Sequence, residues 1–192
     1  MRIIAGDWRG RKLVAPKGDA TRPTADRTRE TLFSMLTSRL GSFEDLRVAD
    51  LFAGSGALGL EALSRGAAHC HFVEQDRTAL DAIRSNISTF DARARATMEA
   101  TSVMTLRPAR EPYDLLLLDP PYHTGAGEVA LDRLQRLGWI EDGTWIALET
   151  AFNEEPEIKG FLIDTSRKVG KGRLTLLTRE PAATCASDPA LD

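Results

Sequence analysis

Residues 48–63 constrain the fold of this chain more than any other stretch. They begin with a short apolar run that ends near Asp50 and continue into a helical pattern. Between the two lie glycines at the spacing Gly-x-Gly-x-x-Gly, which are Gly54, Gly56 and Gly59. Glycines at this spacing let the backbone pass close to a ligand at the start of a helix. The stretch therefore predicts a strand, a tight turn and a helix that hold a cofactor, although several cofactors bind at such turns.

The chain after residue 45 alternates between apolar runs and amphipathic segments. Strands are predicted at 46–52, 69–75, 93–98, 113–119 and 144–150. Helices are predicted near 57–65, 77–88, 101–106 and 126–137. This alternation is typical of an α/β fold with a doubly wound, mostly parallel sheet that is buried on both faces. Two further runs, at 161–169 and 173–179, are close enough in sequence to form an antiparallel hairpin.

The first 40 residues differ from the rest of the chain in charge. They contain nine Lys/Arg and four Asp/Glu, a net charge of about +5, whereas the whole chain carries −3. Their pattern predicts a β-hairpin followed by a helix that ends at Leu40. Trp8 on the hairpin could stack on a ligand or plug the hairpin against the core, and we favour the plug. A basic end on an otherwise acidic protein indicates a polyanionic partner, or alternatively only a solvated face.

Composition excludes several classes of protein. At 192 residues, of which 42% are hydrophobic, the chain can bury the core of one soluble domain. We expect neither a membrane span nor a signal peptide, because no apolar run is suitable for either. Cys70 and Cys185 form no disulfide framework and no metal-ligand spacing, so no bound metal and a cytoplasmic location are expected. We expect a monomer, and residues 181–192 are predicted to be disordered because they lack an apolar period.

Two carboxylates flank the predicted glycine turn. Glu74 ends the second predicted strand about twenty residues after Gly54, where a carboxylate can accept hydrogen bonds from a ribose diol. This position leaves NAD and S-adenosylmethionine as candidate cofactors. Asp50 beside the turn favours S-adenosylmethionine, because it would repel a pyrophosphate but attract ammonium and sulfonium charges. The structural alternative is that both carboxylates only cap strand ends.

A second motif, Asp-Pro-Pro-Tyr, follows the apolar run at 115–118. Ligands of open α/β sheets bind outside the carboxyl ends of the strands, so this motif and the glycine turn should face one crevice. The Asp119 carboxylate and the Pro120 carbonyl could accept both N–H groups of an exocyclic amine, while the Tyr122 ring stacks on the base. Holding such an amine in line with a methyl sulfonium can contribute about 7–11 kcal/mol. The alternative is a rigid surface turn.

The two motifs together resemble those of the class I S-adenosylmethionine-dependent amino-methyltransferases. Two N-terminal blocks, residues 1–13 and 22–33, are similar to those of the bacterial 16S ribosomal RNA (guanine-966)-N2 methyltransferases. The resemblance implies a Rossmann-like, seven-stranded sheet with a reversed last strand. It implies an RNA-binding extension over residues 1–40 and a methyltransferase domain over 41–180. It also implies S-adenosylmethionine as cofactor and, as substrate, a guanine N2 of 16S ribosomal RNA in a partly assembled small subunit.

The motifs and the resemblance assign roles to particular residues. The cofactor-binding set is Asp50, Phe52, Gly54, Ser55, Gly56, Glu74, Thr101 and Asp119. The catalytic set is Asp119, Pro120, Pro121 and Tyr122. The RNA-binding set comprises Arg2, Arg9, Arg11, Lys12, Arg22, Arg27 and Arg29. Thr101 departs from the family, which usually has Asp or Asn followed by Ala there, so Glu99 or a backbone amide could contact the adenine instead.

Three alternative functions remain open at this point. The Asp-Pro-Pro-Tyr motif also occurs in amino-methyltransferases that act on DNA or on a protein amide. The glycine turn alone would also fit an NAD-dependent oxidoreductase, and the fold could serve as a non-catalytic RNA-binding module. The basic loop at 168–173 could contact RNA, but we favour a solvated hairpin turn.

Overall fold

The computed structural model describes residues 1–16, 23–156 and 158–181. Most of the predicted connector at 16–23, including the expected RNA contact Arg22, lies outside the described residues. So does nearly all of the predicted C-terminal tail.

In the described part of the chain, seven strands form one sheet. They are β1 (Arg47–Leu51), β2 (His69–Glu74), β3 (Ala96–Ala100), β4 (Leu115–Leu118), β5 (Trp145–Ala151), β6 (Phe161–Val169) and β7 (Gly172–Arg179). The strand order is β3-β2-β1-β4-β5-β7-β6, with β1 to β5 parallel, β7 antiparallel to β5, and β6 antiparallel to β7. The predicted doubly wound sheet with a reversed last strand is therefore confirmed.

Helices cover both faces of this sheet. They are α1 (Pro23–Leu40), α2 (Ala57–Ser64), α3 (Arg77–Thr89) and α4 (Ala126–Arg136). Two predictions differ from the structure between β2 and β4. The strand predicted at 93–98 begins only at Ala96, because Arg93–Arg95 form a 3₁₀ turn. The helix predicted at 101–106 is a single 3₁₀ turn, Val103–Thr105, whose start is capped by the Ser102 side chain.

The alternating side chains of β4 divide the core into two layers. Leu115 and Leu117 belong to the layer that includes side chains of α1, α2 and α3. Leu116 and Leu118 belong to the layer that includes side chains of α4. All four leucines are at most 1% exposed, as expected for a parallel strand that is buried on both faces. This placement puts the carboxyl ends of β1, β4 and β5 along one edge.

The N-terminal segment, residues 1–13, is a less regular hairpin than the sequence predicts. It forms one isolated bridge between Arg2 and Lys12 instead of two strands. Trp8 is only 8% exposed, and its ring centroid lies 4.9 Å from that of Phe90. The prediction that Trp8 plugs the hairpin against the core is therefore confirmed.

The N-terminal segment is fixed along α2. The buried Glu61 carboxylate accepts the N–H groups of Ile4 and Ala5 at 2.8 and 3.0 Å. Gly6 passes so close to α2 that a Cβ at this position would lie 1.8 Å from the Ser64 carbonyl oxygen. The basic start of the chain is thus attached to the helix that follows the glycine turn.

Candidate active site

The glycine turn has the backbone geometry that its spacing predicts. Gly56 adopts a left-handed conformation (φ 74°) and caps the N-terminus of α2. A Cβ at Gly59 would lie 2.4 Å from a Phe72 ring carbon and 2.5 Å from the Cys70 sulfur, so only glycine lets α2 pack on β2 at this distance. At Gly54, by contrast, a Cβ would meet nothing within 4 Å. The turn is therefore closed on the side of the core and open on the side of the crevice.

Asp50 lies beneath this turn. Its side chain is 1% exposed, and its Oδ2 accepts the Gly59 N–H at 2.8 Å. Asp50 thus caps the start of α2, a structural role that differs from the strand-end cap considered from the sequence. Any effect on a ligand in the crevice would come from its charge.

Glu74 holds the turn through the backbone. Its Oε2 accepts the Gly54 N–H at 2.8 Å, and its Oε1 accepts the N–H groups of Gln75 and Asp76 at 2.7 and 2.8 Å. A carboxylate offers about four acceptor positions, so room remains for about one further hydrogen bond. The predicted pair of hydrogen bonds from a ribose diol is therefore reduced to one in this geometry.

Backbone strain occurs in both motifs. Phe52 follows β1 with φ 61°, and His123 follows the Asp-Pro-Pro-Tyr motif with φ 59°. Left-handed conformations at residues other than glycine cost about 1–3 kcal/mol and cluster at functional sites. The strain therefore supports a functional role for both loops.

The carboxyl ends of three strands bring three acidic side chains to one face of the sheet. Asp50 pairs in register with Leu117, and Leu117 pairs with Ala147. Asp119 and Glu149 each follow two positions later, so their side chains lie on the same face as that of Asp50. We call Asp50, Asp119 and Glu149 the carboxyl row.

The carboxyl groups within the crevice carry like charges that repel one another. Burial raises the pKa of Asp50 well above its ordinary value, and the negative charges of Asp119 and Glu74 raise it further, against the Gly59 N–H. Asp119 remains accessible at the mouth of the crevice. The surrounding protein nevertheless desolvates its carboxyl and, with the charge of Glu149, raises its pKa to about 8. The crevice is thus short of positive charge.

Tyr122 and Glu149 form a hydrogen-bonded pair. The hydroxyl of Tyr122, a side chain that is 39% exposed, donates to Glu149 Oε1 at 2.5 Å. Burial raises the pKa of Glu149, while this hydrogen bond lowers it. Burial and the Glu149 acceptor raise the pKa of Tyr122, which keeps the proton on the phenol. Sequence reasoning missed Glu149, although an acid at the end of the apolar run of β5, in the place that Asp119 holds after β4, was a usable signal.

The Asp-Pro-Pro-Tyr turn is also tied to the loop after β5. The Glu154 carboxylate accepts the N–H of His123 at 2.9 Å and the N–H of Ala151 at 2.8 Å. A cavity of about 160 Å³ lies beside the turn, between the start of α4 and the end of β5. The turn therefore has a fixed position next to a space that is open to a ligand.

The expected adenine contacts already have partners in the protein. The Thr101 hydroxyl lies 2.9 Å from that of Thr105, and Glu99 lies 3.2 Å from the His71 ring nitrogen. The predicted contact by Thr101 stays a prediction.

The described residues of the predicted RNA-binding set differ in whether their side chains already have partners within the protein. Four are exposed and face solvent, namely Arg2, Arg9, Lys12 and Arg27. Arg11 is exposed, but its guanidinium donates to the Thr89 carbonyl at 2.6 Å and lies 4.5 Å from the Phe90 ring centroid.

Arg29 is the exception to the predicted RNA-binding set. It is 4% exposed and pairs with Asp26 at 3.0 Å and with Glu61 at 3.7 Å. Its guanidinium stabilises the fold instead of facing a phosphate, because the N-terminal segment encloses it. We therefore remove Arg29 from the proposed RNA surface.

A buried amide links the N-terminal segment to the glycine turn. The Nδ2 of Asn86 on α3 donates to the carbonyl oxygens of Val14 and Ser55 at 2.9 and 3.0 Å. Its Oδ1 accepts the Val14 N–H at 2.8 Å. Sequence reasoning missed Asn86, since nothing local distinguishes it from a surface residue of an amphipathic helix.

Two negative findings complete the description of the site. Over residues 1–16, 23–156 and 158–181, His, Cys, Asp and Glu side chains form no group of three that could hold a metal ion. In the same ranges, no helix combines the length and apolar character needed to cross a membrane.

The strand order, the reversed β7, the glycine turn and the Asp-Pro-Pro-Tyr turn together define a Rossmann-like methyltransferase. The chain belongs to the family described as "Conserved hypothetical protein 95", whose model matches residues 1–178.

Curated relatives and a solved structure agree with this assignment. The chain is 39% identical over 150 residues to "Ribosomal RNA small subunit methyltransferase D" of Escherichia coli K12, covering 78% of this chain and 74% of that protein. It is 36% identical over 173 residues to "Putative rRNA methyltransferase YlbH" of Bacillus subtilis, covering 88% and 92%. The solved structure titled "Putative methyltransferase yhhF from Escherichia coli" superposes with a TM-score of 0.81 at 34% identity, covering 94% of this chain and 98% of that chain.

Proposed function

We propose that this protein transfers a methyl group from S-adenosylmethionine to the exocyclic N2 of a guanine in 16S ribosomal RNA, within an assembling small subunit. The names of its relatives support a ribosomal RNA substrate. The observation that carries the choice of cofactor is the buried Asp50 carboxyl beneath the glycine turn, on which the negative charges of Asp119 and Glu74 exert repulsion. A sulfonium and an ammonium group would relieve this repulsion, whereas the pyrophosphate of NAD would increase it.

The residues at the turn fit this cofactor. The open side of Gly54 leaves space for a ligand against the backbone, and the remaining acceptor position of Glu74 suits one ribose hydroxyl. Phe52, Ser55, Gly56 and Thr101 would complete the binding site. When bound, S-adenosylmethionine supplies a methyl group on a good leaving group.

The Asp-Pro-Pro-Tyr turn would hold the base. An aryl amine is a poor nucleophile, because its lone pair is delocalised into the ring. The Asp119 carboxylate and the Pro120 carbonyl would accept its two N–H groups and direct the lone pair at the methyl. Pro121 keeps the turn rigid and Tyr122 stacks on the base. With its raised pKa, Asp119 can also receive the proton that the methylated amine releases.

The exposed basic residues of the N-terminal region would hold the phosphates around the base. Arg2, Arg9, Lys12 and Arg27 face solvent, and contacts of this kind orient an RNA without reading its sequence. Arg11 and Arg22 are further candidates. The protein would act as a monomer in the compartment where small subunits are assembled.

The test is to incubate the protein with labelled S-adenosylmethionine and small subunits that lack the modification. We expect label in 16S RNA, at a guanine that mass spectrometry identifies as N2-methylated. Matched reactions with DNA and with protein amides should give no label. A calorimetric titration should show binding of S-adenosylmethionine and none of NAD. Absence of label from the RNA, while DNA or a protein is labelled, would overturn the proposal.

A further inference from the structure

Holding the amine uses only Asp119 of the carboxyl row, and Asp50 caps α2, so Glu149 is left without an assigned role. Asp119 and Glu149 lie side by side beyond the in-register pair Leu117 and Ala147, on neighbouring strands that are about 4.8 Å apart. The charge of Glu149 acts directly on Asp119. A base whose amine is held at Asp119 would therefore bring the next atom of its edge close to Glu149.

The carboxylate of Glu149 is fixed in this position. Tyr122 occupies Oε1, and among the described residues no hydrogen bond reaches Oε2. The backbone at Gly172 closes the far side, because a Cβ there would lie 2.8 Å from Glu149 Oε1 and 3.0 Å from the Tyr122 hydroxyl. The hydrogen bond from Tyr122 thus fixes Glu149 so that its Oε2 is an available acceptor beside the proposed amine site.

We propose that Glu149 is the residue that selects guanine, with Oε2 accepting the N1–H while Asp119 and the Pro120 carbonyl accept the N2 amine. The inference rests on the proposed function and names the base that the site takes. In guanine, the ring nitrogen next to the exocyclic amine carries a hydrogen. In adenine and cytosine, the corresponding nitrogen carries a lone pair, which a carboxylate repels. A site built to bind an N–H discriminates strongly against an analogue that lacks it.

The test uses small subunits reconstituted with 2-aminopurine at the methylated position. This base keeps the exocyclic N2 amine but has no hydrogen on N1. We expect the wild-type protein to methylate guanine at least about 10- to 100-fold more efficiently, by kcat/KM, than 2-aminopurine. Equal efficiency on the two bases would overturn the role of Glu149, and this comparison requires no variant.

The variant Glu149→Gln sharpens the test, because a glutamine amide can both accept from Tyr122 and donate to N1 of 2-aminopurine. We expect the ratio of kcat/KM on guanine to kcat/KM on 2-aminopurine to fall at least about tenfold in this variant. If Glu149 only positioned Tyr122, the variant would lower the efficiency on both bases by the same factor and the preference would not change, which would overturn the inference.

A matched control is Glu141→Gln, an exposed acid in the loop before β5, at the opposite end of that strand from Glu149. It should keep the wild-type preference. If it shifts the preference as much as Glu149→Gln does, general charge explains the selectivity and the inference is overturned. If wild-type protein leaves guanine-bearing subunits unlabelled, the proposed function itself fails. A labelled guanine with an unchanged preference in Glu149→Gln removes only the present inference.

Discussion

Asp119 and the Pro120 carbonyl are the two acceptors at the carboxyl end of β4 where we propose that the reacting amine binds. Because the proposed catalysis depends on position, loss of one acceptor should affect the chemical step more than the binding of the cofactor. Glu74 and the backbone of the glycine turn would still hold the ligand.

We therefore expect Asp119→Ala to lower kcat at least about 100-fold. Single-turnover methylation of small subunits measures this change, and calorimetry should show that S-adenosylmethionine still binds. Glu141→Gln, an exposed acid in the loop before β5, serves as the control, with a kcat close to that of the wild type. Full activity in Asp119→Ala would contradict the assigned role.

The pH profile follows from the carboxyl row. Burial and the charge of Glu149 raise the pKa of Asp119 to about 8, so the ionised acceptor accumulates, and the rate should rise, as the pH increases through that range. Asp119 in turn acts on Asp50 of β1, whose pKa it raises together with burial and Glu74 of β2. Replacing Glu149 by Gln removes a negative charge, which lowers the pKa of Asp119.

The acidic limb of kcat against pH should accordingly move to lower pH in Glu149→Gln. Rates measured from pH 6 to 9 at saturating cofactor would show the shift. A shift towards higher pH, or none, would mean that Glu149 does not act on Asp119 electrostatically.

At the scale of elements, α2 depends on its close approach to β2. A Cβ at Gly59 would lie 2.4 Å from the Phe72 ring and 2.5 Å from Cys70, and both side chains are fully buried. Gly59→Ala should lower the free energy of unfolding by about 1–3 kcal/mol, because a packed core resists an added methyl group. Chemical denaturation measures the change. Ser34→Ala, on the exposed face of α1, should stay within about 0.5 kcal/mol of the wild type.

Asn86 joins α3, the glycine turn and the N-terminal segment. Asn86→Ala would leave the buried carbonyl of Ser55 and the backbone of Val14 without their partner. We expect a loss of at least about 2 kcal/mol in the free energy of unfolding, and faster hydrogen exchange at the Val14 amide. Asn153→Ala, in an exposed position, should change neither quantity. Equal exchange in the two variants would show that the amide does not hold the segment.

Local sequence patterns predicted the elements whose structure depends on neighbouring residues. They failed where an element boundary or a side-chain role depends on other contacts. Continuous apolar runs identified the buried parallel strands, but the boundaries of β3 and the short turn after it depended on exposed and capping residues. The Asp-Pro-Pro-Tyr turn was predicted because its residues are consecutive. Glu149 and Asn86 were missed, and Arg29 was misassigned, because each role depends on at least one partner that lies 27 or more residues away.

At the scale of the whole molecule, the uneven charge predicts how RNA binding responds to salt. Arg9→Ala combined with Lys12→Ala should weaken binding to small subunits. It should also flatten the slope of log K against log salt by about 0.7–0.9 for each phosphate contact that is lost. Filter binding at several salt concentrations measures the slope. Arg84→Ala with Arg136→Ala removes two exposed, ion-paired arginines of α3 and α4 as a control. An unchanged slope in the Arg9→Ala, Lys12→Ala variant would show that these exposed basic residues of the N-terminal segment are only solvated and contact no phosphate.

The docking of residues 1–13 on α2 has a practical consequence for anyone who wishes to separate RNA binding from methyl transfer. Ile3 and Trp8 are part of the same core as the helices of the sheet face, and the Glu61 carboxylate accepts two of its hydrogen bonds from the backbone of this segment, besides that from Arg65. Deleting the segment would uncover apolar surface. It would also leave the buried Glu61 carboxylate with fewer partners, in the helix that follows the glycine turn. The N-terminal segment, which we propose contacts the RNA, is therefore not a detachable module, and its contribution has to be dissected by surface substitutions in the intact chain.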